Sequence, residues 1–466
     1  MEKFDLCVIG AGPGGYVAAI HAGQKGLNVA IVEKENFGGT CLNIGCIPTK
    51  TLIAGAEVLH KARHAADFGV DISGKITPNW DKMQNRKDEV IVKLRKGIGG
   101  LLKAAGVKTF NGTASFLDRK NLVVNGGDDN GTKITADNFI IASGSESLVP
   151  GFIPESARVL TSTELLSIEK IPKSLLILGG GVIGCEFACL FAELGTKVTV
   201  VEMLPNIMSV LDKEIGRVIT TQMKKAGIEI LTGTAMSDIK ASSKGVSGKV
   251  GSKTVKADYL LVSIGRKAVS DNLNLSAAGV KTDERSWIPV NEYCKTNVPN
   301  IYAIGDIGGK IWLAHLASAM GFCAVDNICG ERNEFNYDLV PGCIFTNPEI
   351  GTVGLSEEQC KEQGIDYTVG KFPFAALGKA MAIEETEGMV KIIADSQTDQ
   401  VLGVHIVGPH ATDLIAEAVP AMQLEITAKE LGKAIHAHPT LGEAMMEAAH
   451  AVHGECAHIP VRKRRK

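Results

Sequence analysis

The chain has 466 residues, 45% of them hydrophobic and 22% charged, with a net charge of −3. That length exceeds what one hydrophobic core serves, so several domains are expected, and the near-neutral balance gives no global pull toward nucleic acid or an acidic membrane. The 11 cysteines are scattered and odd in number, which excludes a secreted disulfide scaffold and reads mostly as reduced packing residues in a reducing compartment.

Residues 4–9 form an apolar run with β-formers, followed by Gly10-Ala11-Gly12-Pro13-Gly14-Gly15 and helical text over 16–24. A second strand at 29–32 ends in Glu33. Gly10, Gly12 and Gly15 are the G-x-G-x-x-G of a βαβ dinucleotide fingerprint. The glycines allow a tight turn and close approach of a pyrophosphate, and the helix N-terminus supplies N–H groups and positive dipole. Glu33 is placed to accept from ribose hydroxyls. Asp5 interrupts the apolar start and the nucleotide loop begins at Gly10, so a signal peptide is not expected; a cytoplasmic, bacterial-type protein is.

Residues 38–50, Gly-Gly-Thr-Cys-Leu-Asn-Ile-Gly-Cys-Ile-Pro-Thr-Lys, hold Cys41 and Cys46. In an ideal helix, positions five apart lie roughly 8–9 Å from each other. A disulfide wants Cα atoms within about 7 Å. If the two pair, the backbone between them leaves the regular helix, and Gly45 can absorb that departure. A pair held this way is easier to reduce than a structural crosslink. Spacing alone leaves two buried apolar cysteines equally open; the adjoining fingerprint favours the redox reading.

Residues 78–102 read as a long amphipathic helix. Stretches 107–114 and 121–134 read as short strands with Asn125-Gly126-Gly127 and Asn130-Gly131 turns. Residues 139–146 form a buried strand running into a turn, and 150–154 with 171–172 read as linker. The fingerprint then recurs. A strand at 174–178 leads into Gly179, Gly181 and Gly184, a helix runs to about 194, and a strand at 197–201 ends in Glu202. The offset is 169 residues throughout, an internal duplication that predicts two dinucleotides. Glu202 accepts from a 2′-hydroxyl and repels a 2′-phosphate, and Met203-Leu204-Pro205-Asn206 add no cation, so NAD is favoured over its phosphorylated form.

Residues 260–266 are the counterpart of 139–146. Residues 300–306 form a third apolar strand ending in Gly305-Asp306, whose carboxylate is placed to bond a flavin ribityl hydroxyl. No membrane span is expected: 177–190 is apolar but holds four glycines and Glu186. After Val340 come strands at 343–345, 389–393 and 402–407, then helices from Thr412, a separate αβ domain. The basic run 462–466 reads as a solvated tail.

These motifs, with the late His436-Ala437-His438-Pro439-Thr440-Leu441-Gly442-Glu443, resemble the flavin disulfide reductases over nearly the whole chain and in order. Cys41 to Pro48 is most similar to the dihydrolipoamide dehydrogenase branch of that family. The resemblance implies an α/β fold of two Rossmann-like dinucleotide-binding domains plus a C-terminal α+β dimerisation domain. The implied domains are 1–150 for FAD with the cysteine pair, 151–270 for NAD, 271–341 as a central domain completing the FAD site, and 342–466 for dimerisation with the catalytic histidine.

The same resemblance makes Cys46 the flavin-facing sulfur and Cys41 the interchange sulfur. It puts Lys50 near the flavin, balanced by Glu186, and makes His438 of the partner subunit the acid/base, oriented by Glu443. FAD contacts are implied at Gly10, Gly12, Gly15, Glu33, Lys34, Gly39, Thr40, Lys50, Gly112, Ser143, Gly144, Ser145, Asp306, Leu313, Ala314 and His315. NAD contacts are implied at Gly179, Gly181, Val182, Ile183, Gly184, Glu186, Glu202, Met236 and Gly265. The implied activity oxidises protein-bound dihydrolipoamide and reduces NAD. The implied partners are a second copy of the chain and the lipoyl-bearing acyltransferase cores of 2-oxoacid dehydrogenase complexes or the glycine-cleavage carrier protein. No metal, nucleic acid or membrane is expected.

Three positions depart from the family pattern: Ser143 for a threonine, Gly442 for a serine and Met320 for a glutamate. Two other readings stand beside this one. The first is another FAD-dependent disulfide or metal-ion reductase on the same scaffold; a mercuric reductase needs a second cysteine pair near the C-terminus, where only Cys456 stands. The second is a flavoprotein scaffold that docks or senses redox state without turnover.

Overall fold

In the computed structural model, which describes residues 2–460, the first fingerprint lies at the middle of a seven-stranded sheet. β1 (Glu2–Ile9) is continuously apolar and buried over its second half, Leu6 to Ile9, where both of its faces are covered. It pairs in parallel with β2 (Val29–Glu33) on one side and with the strand Lys133–Ile141 on the other. The helix α1 (Pro13–Gln24) makes the crossover to β2. Its start follows from Pro13, whose fixed φ suits the first helical position.

Register is what makes a site here. Ile9 stands opposite both Val32 and Ile141, and Ala303 of the strand Ile301–Ala303 also stands opposite Ile141. Four parallel strands therefore end level. Gly10, Glu33, Ala142 and Ile304 leave from one edge, at the carboxyl ends where α/β sheets bind ligands. Beneath them, Phe4, Phe110, Phe116, Phe139 and Ile301 belong to one buried cluster, with the Phe116 and Phe139 rings 5.2 Å apart. Burying such a side chain stabilises by roughly 1.5–3 kcal/mol.

The chain folds as two compact units. The first comprises Met1–Gly151, Leu160–Lys170 and Ile264–Asn336; the second comprises Phe152–Val159, Ile171–Ser263 and Tyr337–Lys466. The second unit repeats the first one's βαβ start. The strands Glu229–Thr232, Lys197–Glu202, Ser174–Leu178 and Tyr259–Val262 lie side by side in parallel. An antiparallel meander, Met236–Ser242, Gly245–Val250 and Lys253–Ala257, shares a buried cluster with them. A five-stranded antiparallel sheet follows in the order Gly342–Ile344, Glu349–Gly354, Val401–Gly408, Met389–Asp395, Tyr367–Pro373. The helices Ala411–Gln423 and Glu443–Val452 share a buried cluster with it through Ile415, Met445 and Ala448.

Most expected elements are present within a residue or two, including the long helix, Trp80–Ala104. Two differences stand out. The stretch 107–114 is two strands, Lys108–Asn111 and Thr113–Phe116, broken at Gly112. The meander over 236–257 and the strands Glu349–Gly354 and Tyr367–Pro373 have no counterpart in the sequence reading. Their alternation is interrupted by glycine or by polar residues on both faces, which removes the period-two signal. The basic run 462–466 lies outside the described residues.

Candidate active site

The cysteine segment is two helices, α2 (Gly39–Ile44) and α3 (Cys46–Arg63), with the break at Gly45. Gly45 has φ −142° and ψ −111°, and a Cβ there would lie 2.8 Å from the Thr40 carbonyl oxygen. Only glycine avoids that contact. The break brings the Cys41 and Cys46 thiols into hydrogen-bonding contact. That contact first, then burial, pushes the Cys41 thiol up, while the charge of Lys50 pulls it down.

Two further contacts fix α2. A Cβ on Gly39 would lie 2.6 Å from the Gly12 Cα, so the redox helix starts against the fingerprint. The Asn43 amide donates to the Phe37 and Gly39 carbonyls at 3.0 and 2.9 Å, and Arg95 donates to its oxygen at 3.0 and 2.7 Å. Asn43 and Arg95 are positioning residues that the sequence reading did not single out.

At the fingerprint, Glu33 accepts from the Ala11 N–H at 2.7 Å and the Glu35 N–H at 2.8 Å. Lys34 pairs with Glu35 at 3.6 Å, and the Gly112 N–H donates to the Glu33 carbonyl at 3.0 Å. A Cβ on Gly10 would lie 2.5 Å from the Ala142 carbonyl oxygen, and a Cβ on Gly15 would strike the Gly10 carbonyl. Gly12, the N-cap of α1, has nothing within 4 Å of its Cβ position. The packed glycines bring strand and helix together, and the open one leaves room for a pyrophosphate.

Further along the same edge, the Ser143 hydroxyl is buried without a hydrogen-bond partner, and Gly144 follows with φ +73°. The Ser145 hydroxyl donates to Asp306 at 2.5 Å. Arg266 donates to the Ser145 hydroxyl and carbonyl, each at 2.6 Å, and its charge lies 3.7 Å from Asp306. Burial holds the Asp306 carboxyl above the usual range, against the pull of Ser145 and Arg266. Arg266 is a third residue missed from sequence; its signal was its place directly after Gly265. Leu313 caps the helix Ala314–Ile328, which holds Ala314 and His315. Met320 on that helix accepts from the Gly305 N–H at 3.4 Å.

The second fingerprint copies the first in hydrogen bonds as well as in residues. Glu202 accepts from the Gly180 N–H at 2.7 Å and the Leu204 N–H at 2.8 Å, the same pattern at the same offset. Gly181 caps the helix Val182–Glu193 with open space at its Cβ position, while a Cβ on Gly184 would strike the Gly179 carbonyl. Val182, Ile183 and Glu186 lie on that helix, and buried Glu186 accepts from the Phe345 N–H at 3.0 Å. Met236 opens the meander and is buried. Gly265 belongs to the first unit instead, where its carbonyl accepts from the Leu148 N–H at 3.0 Å. Lys50 and Glu186 likewise fall in different units.

The C-terminal histidine stands in a dyad. His438 Nδ1 lies 2.8 Å from Glu443 Oε1, and the Thr440 N–H donates to the other carboxylate oxygen at 2.9 Å. Burial opposes the Glu443 charge, but Thr440 and His438 outweigh it and hold the carboxyl below its usual range. The His438 ring is 77% exposed, open to a reacting group. His436 is tied to Glu417 at 2.7 Å. Among the described residues, no cluster of His, Cys, Asp or Glu is arranged to hold a metal, and no helix is long and apolar enough to cross a membrane.

Two dinucleotide cradles, a vicinal thiol pair and a histidine–carboxylate dyad define a disulfide oxidoreductase run by nucleotide cofactors. Residues 4–321 match the pyridine nucleotide-disulphide oxidoreductase family and residues 340–449 match its dimerisation domain, and the chain belongs to that family. A dihydrolipoyl dehydrogenase of Chlamydia pneumoniae is 44% identical over 459 residues, 98% of this chain and 99% of that one. One of Geobacillus stearothermophilus is 42% identical over 461 residues, 98% of this chain and 97% of that one. Among solved structures, LpdA from Mycobacterium tuberculosis superposes with a TM-score of 0.90 at 25% identity, covering 96% and 99% of the two chains. The HOCl-induced flavoprotein disulfide reductase RclA from Escherichia coli, in its Cu(II) complex, does so at 0.88 and 28%, with the same coverage. The cofactors of the chain are FAD and NAD. The open Cβ positions at Gly12 and Gly181 and the unpartnered Ser143 hydroxyl fit such groups.

Proposed function

We propose that the chain is a dihydrolipoyl dehydrogenase that works as a homodimer, oxidising dihydrolipoamide on a carrier protein and reducing NAD. The observation that carries the reading is the contact between the Cys41 and Cys46 sulfurs beside the first fingerprint. The exposed His438–Glu443 dyad and the full-length similarity to dihydrolipoyl dehydrogenases support it.

In this mechanism His438 of the partner subunit takes the proton from one substrate thiol, because the thiolate is the nucleophile. Glu443 fixes the ring's tautomer and stabilises the imidazolium. The substrate thiolate attacks Cys41 of the oxidised pair, the Cys41–Cys46 bond breaks, and Cys46 leaves as a thiolate. The second substrate thiol loses its proton and attacks the sulfur bound to Cys41, releasing lipoamide and leaving the pair as dithiol. FAD, when bound, carries the two electrons on to NAD as hydride. Gly12, Ser143, Asp306 and the neighbouring residues named above bind FAD, with Lys50 beside it. Gly181, Glu202 and Met236 bind NAD. The domain limits are 1–150, 151–270, 271–341 and 342–466. The partners are lipoyl-bearing acyltransferase cores or the glycine-cleavage carrier, in the cytoplasm.

Cys41→Ser tests the assignment. It abolishes dihydrolipoamide–NAD turnover while FAD stays bound, measured by steady-state NADH absorbance and the flavin spectrum. Normal turnover in that variant would sink the proposal.

A further inference from the structure

A second pair of thiols lies elsewhere in the first unit. Cys294 sits in the turn at 291–296, where its N–H donates to the Asn291 carbonyl at 3.0 Å and its carbonyl accepts from the Ala303 N–H at 3.1 Å. It holds φ +60°, in the left-handed region that non-glycine residues rarely adopt. Cys323 lies on the helix Ala314–Ile328 with its sulfur against that turn. Its Sγ is 3.8 Å from the Glu292 carbonyl oxygen and 3.2 Å from that of Asn333, and Asn327 Nδ2 donates to it at 3.5 Å. The two thiols lie in contact with each other, and the residues are 0% and 2% exposed.

We propose that Cys294 and Cys323 are a second redox-active dithiol, which peroxides convert reversibly into a disulfide tying the 291–296 turn to the helix Ala314–Ile328. The geometry assigns the roles. While protonated, the Cys323 thiol donates to the Asn333 carbonyl; contact with Cys294 and the Asn327 donor hold it below its usual value, against its burial and the Asp326 charge. Cys294 keeps its proton, pushed up first by the Cys323 sulfur and then by burial. The Cys323 thiolate attacks hydrogen peroxide; the O–O bond breaks, giving a sulfenic acid and hydroxide, which takes up a proton. The Cys294 sulfur then attacks Cys323, its proton leaves with the displaced hydroxyl as water, and the disulfide forms. Two thiols and one peroxide become one disulfide and two waters, and the two electrons pass from sulfur to oxygen.

The crosslink bears on the FAD cradle through its helix. Met320 accepts from the Gly305 N–H beside Asp306, and the Ala317 carbonyl oxygen lies 2.9 Å from a Cβ placed on Gly14 in the first fingerprint. Oxidation therefore anchors the element that backs both halves of the cradle. The pair shares no residue with the proposed activity, so either reading fails without touching the other.

The holoprotein is treated with a modest excess of hydrogen peroxide, alkylated under denaturing conditions, digested with trypsin and analysed by mass spectrometry. Cys294 falls in peptide 286–295 and Cys323 in peptide 311–332, which also holds Cys329. A Cys329→Ser variant, at an exposed position, removes that ambiguity. The expected product joins the two peptides, is lighter by two hydrogens, and disappears with dithiothreitol. Its formation raises the temperature of FAD release, and Cys294→Ala abolishes that rise. Full alkylation of Cys294 and Cys323, in a sample whose peptide 35–50 carries the Cys41–Cys46 disulfide, overturns the proposal. So does oxidation of Cys323 to sulfinic acid without the crosslink.

Discussion

Lys391 lies in the strand Met389–Asp395, and its side chain is 1% exposed. Its ammonium sits 2.8 Å from both oxygens of Asp212, itself 0% exposed, 2.5 Å from Glu357 and 3.3 Å from Glu214. Replacing it by methionine keeps the volume and removes the charge. Glu214 retains Lys371 at 2.5 Å and Glu357 retains the Tyr367 hydroxyl at 3.0 Å; at 31% and 22% exposure both rehydrate. Asp212 does not. It keeps only the backbone donors of Glu214 and Glu357, at 3.0 and 3.3 Å. Breaking a buried pair costs about 3–5 kcal/mol; those remaining donors place Lys391→Met near the lower end, about 3 kcal/mol.

For a unit of this size class each kcal/mol is about 2–4 °C, so the melting temperature falls by roughly 6–12 °C. Thermal unfolding followed by circular dichroism at neutral pH measures it. Adding Asp212→Asn recovers part of the loss, because the orphaned charge goes too. The effect depends on pH. Burial opposes the charges of Asp212 and Glu357, but Lys391 outweighs it and holds both carboxyls below their usual range. Their stabilisation is present above the unfolded value of about 4 and is lost as pH falls through the folded values, so the gap between wild type and variant closes in acid. Lys391 is held above its usual value by the same carboxylates, against its burial, so its share persists through neutral pH and is lost only as pH rises past the folded value. A fall below about 2 °C at neutral pH, or strict additivity in the double variant, would refute the reasoning.

Gly12→Ala leaves the fold intact, since its Cβ meets nothing, yet weakens FAD retention by about tenfold or more, about 1.4 kcal/mol; flavin content after gel filtration reads this. Gly15→Ala instead drives a Cβ into the Gly10 carbonyl and lowers stability by about 1–3 kcal/mol, seen as reduced soluble yield and melting temperature. Gly181→Ala keeps FAD and raises KM for NAD, with little change in kcat. His438→Gln lowers kcat about 10²–10⁴-fold with the flavin spectrum unchanged.

Much of this protein was legible in its text because the signals are local. A strand, three glycines, a helix and a terminal acid occupy 30 consecutive residues, 4–33, and their chemistry is fixed by backbone geometry within that span. Duplication then wrote the pattern twice, down to the paired N–H donors on Glu33 and Glu202. Gly45 was legible for the same reason: five residues of chain decide whether two sulfurs can meet.

Tertiary structure alone decided the rest. Nothing in Met-Val-Lys-Ile-Ile-Ala-Asp announces a buried ammonium, since its partner Asp212 is 179 residues away. Arg266 joins Ser145 and Asp306 only because its strand pairs antiparallel with Ser145–Ser147 while Ile301–Ala303 ends beside Lys133–Ile141. Cys323 meets Cys294 only because a helix crosses a distant turn. A sequence shows which groups are available, but burial and charge pairing depend on distances in space, and packing sets those distances.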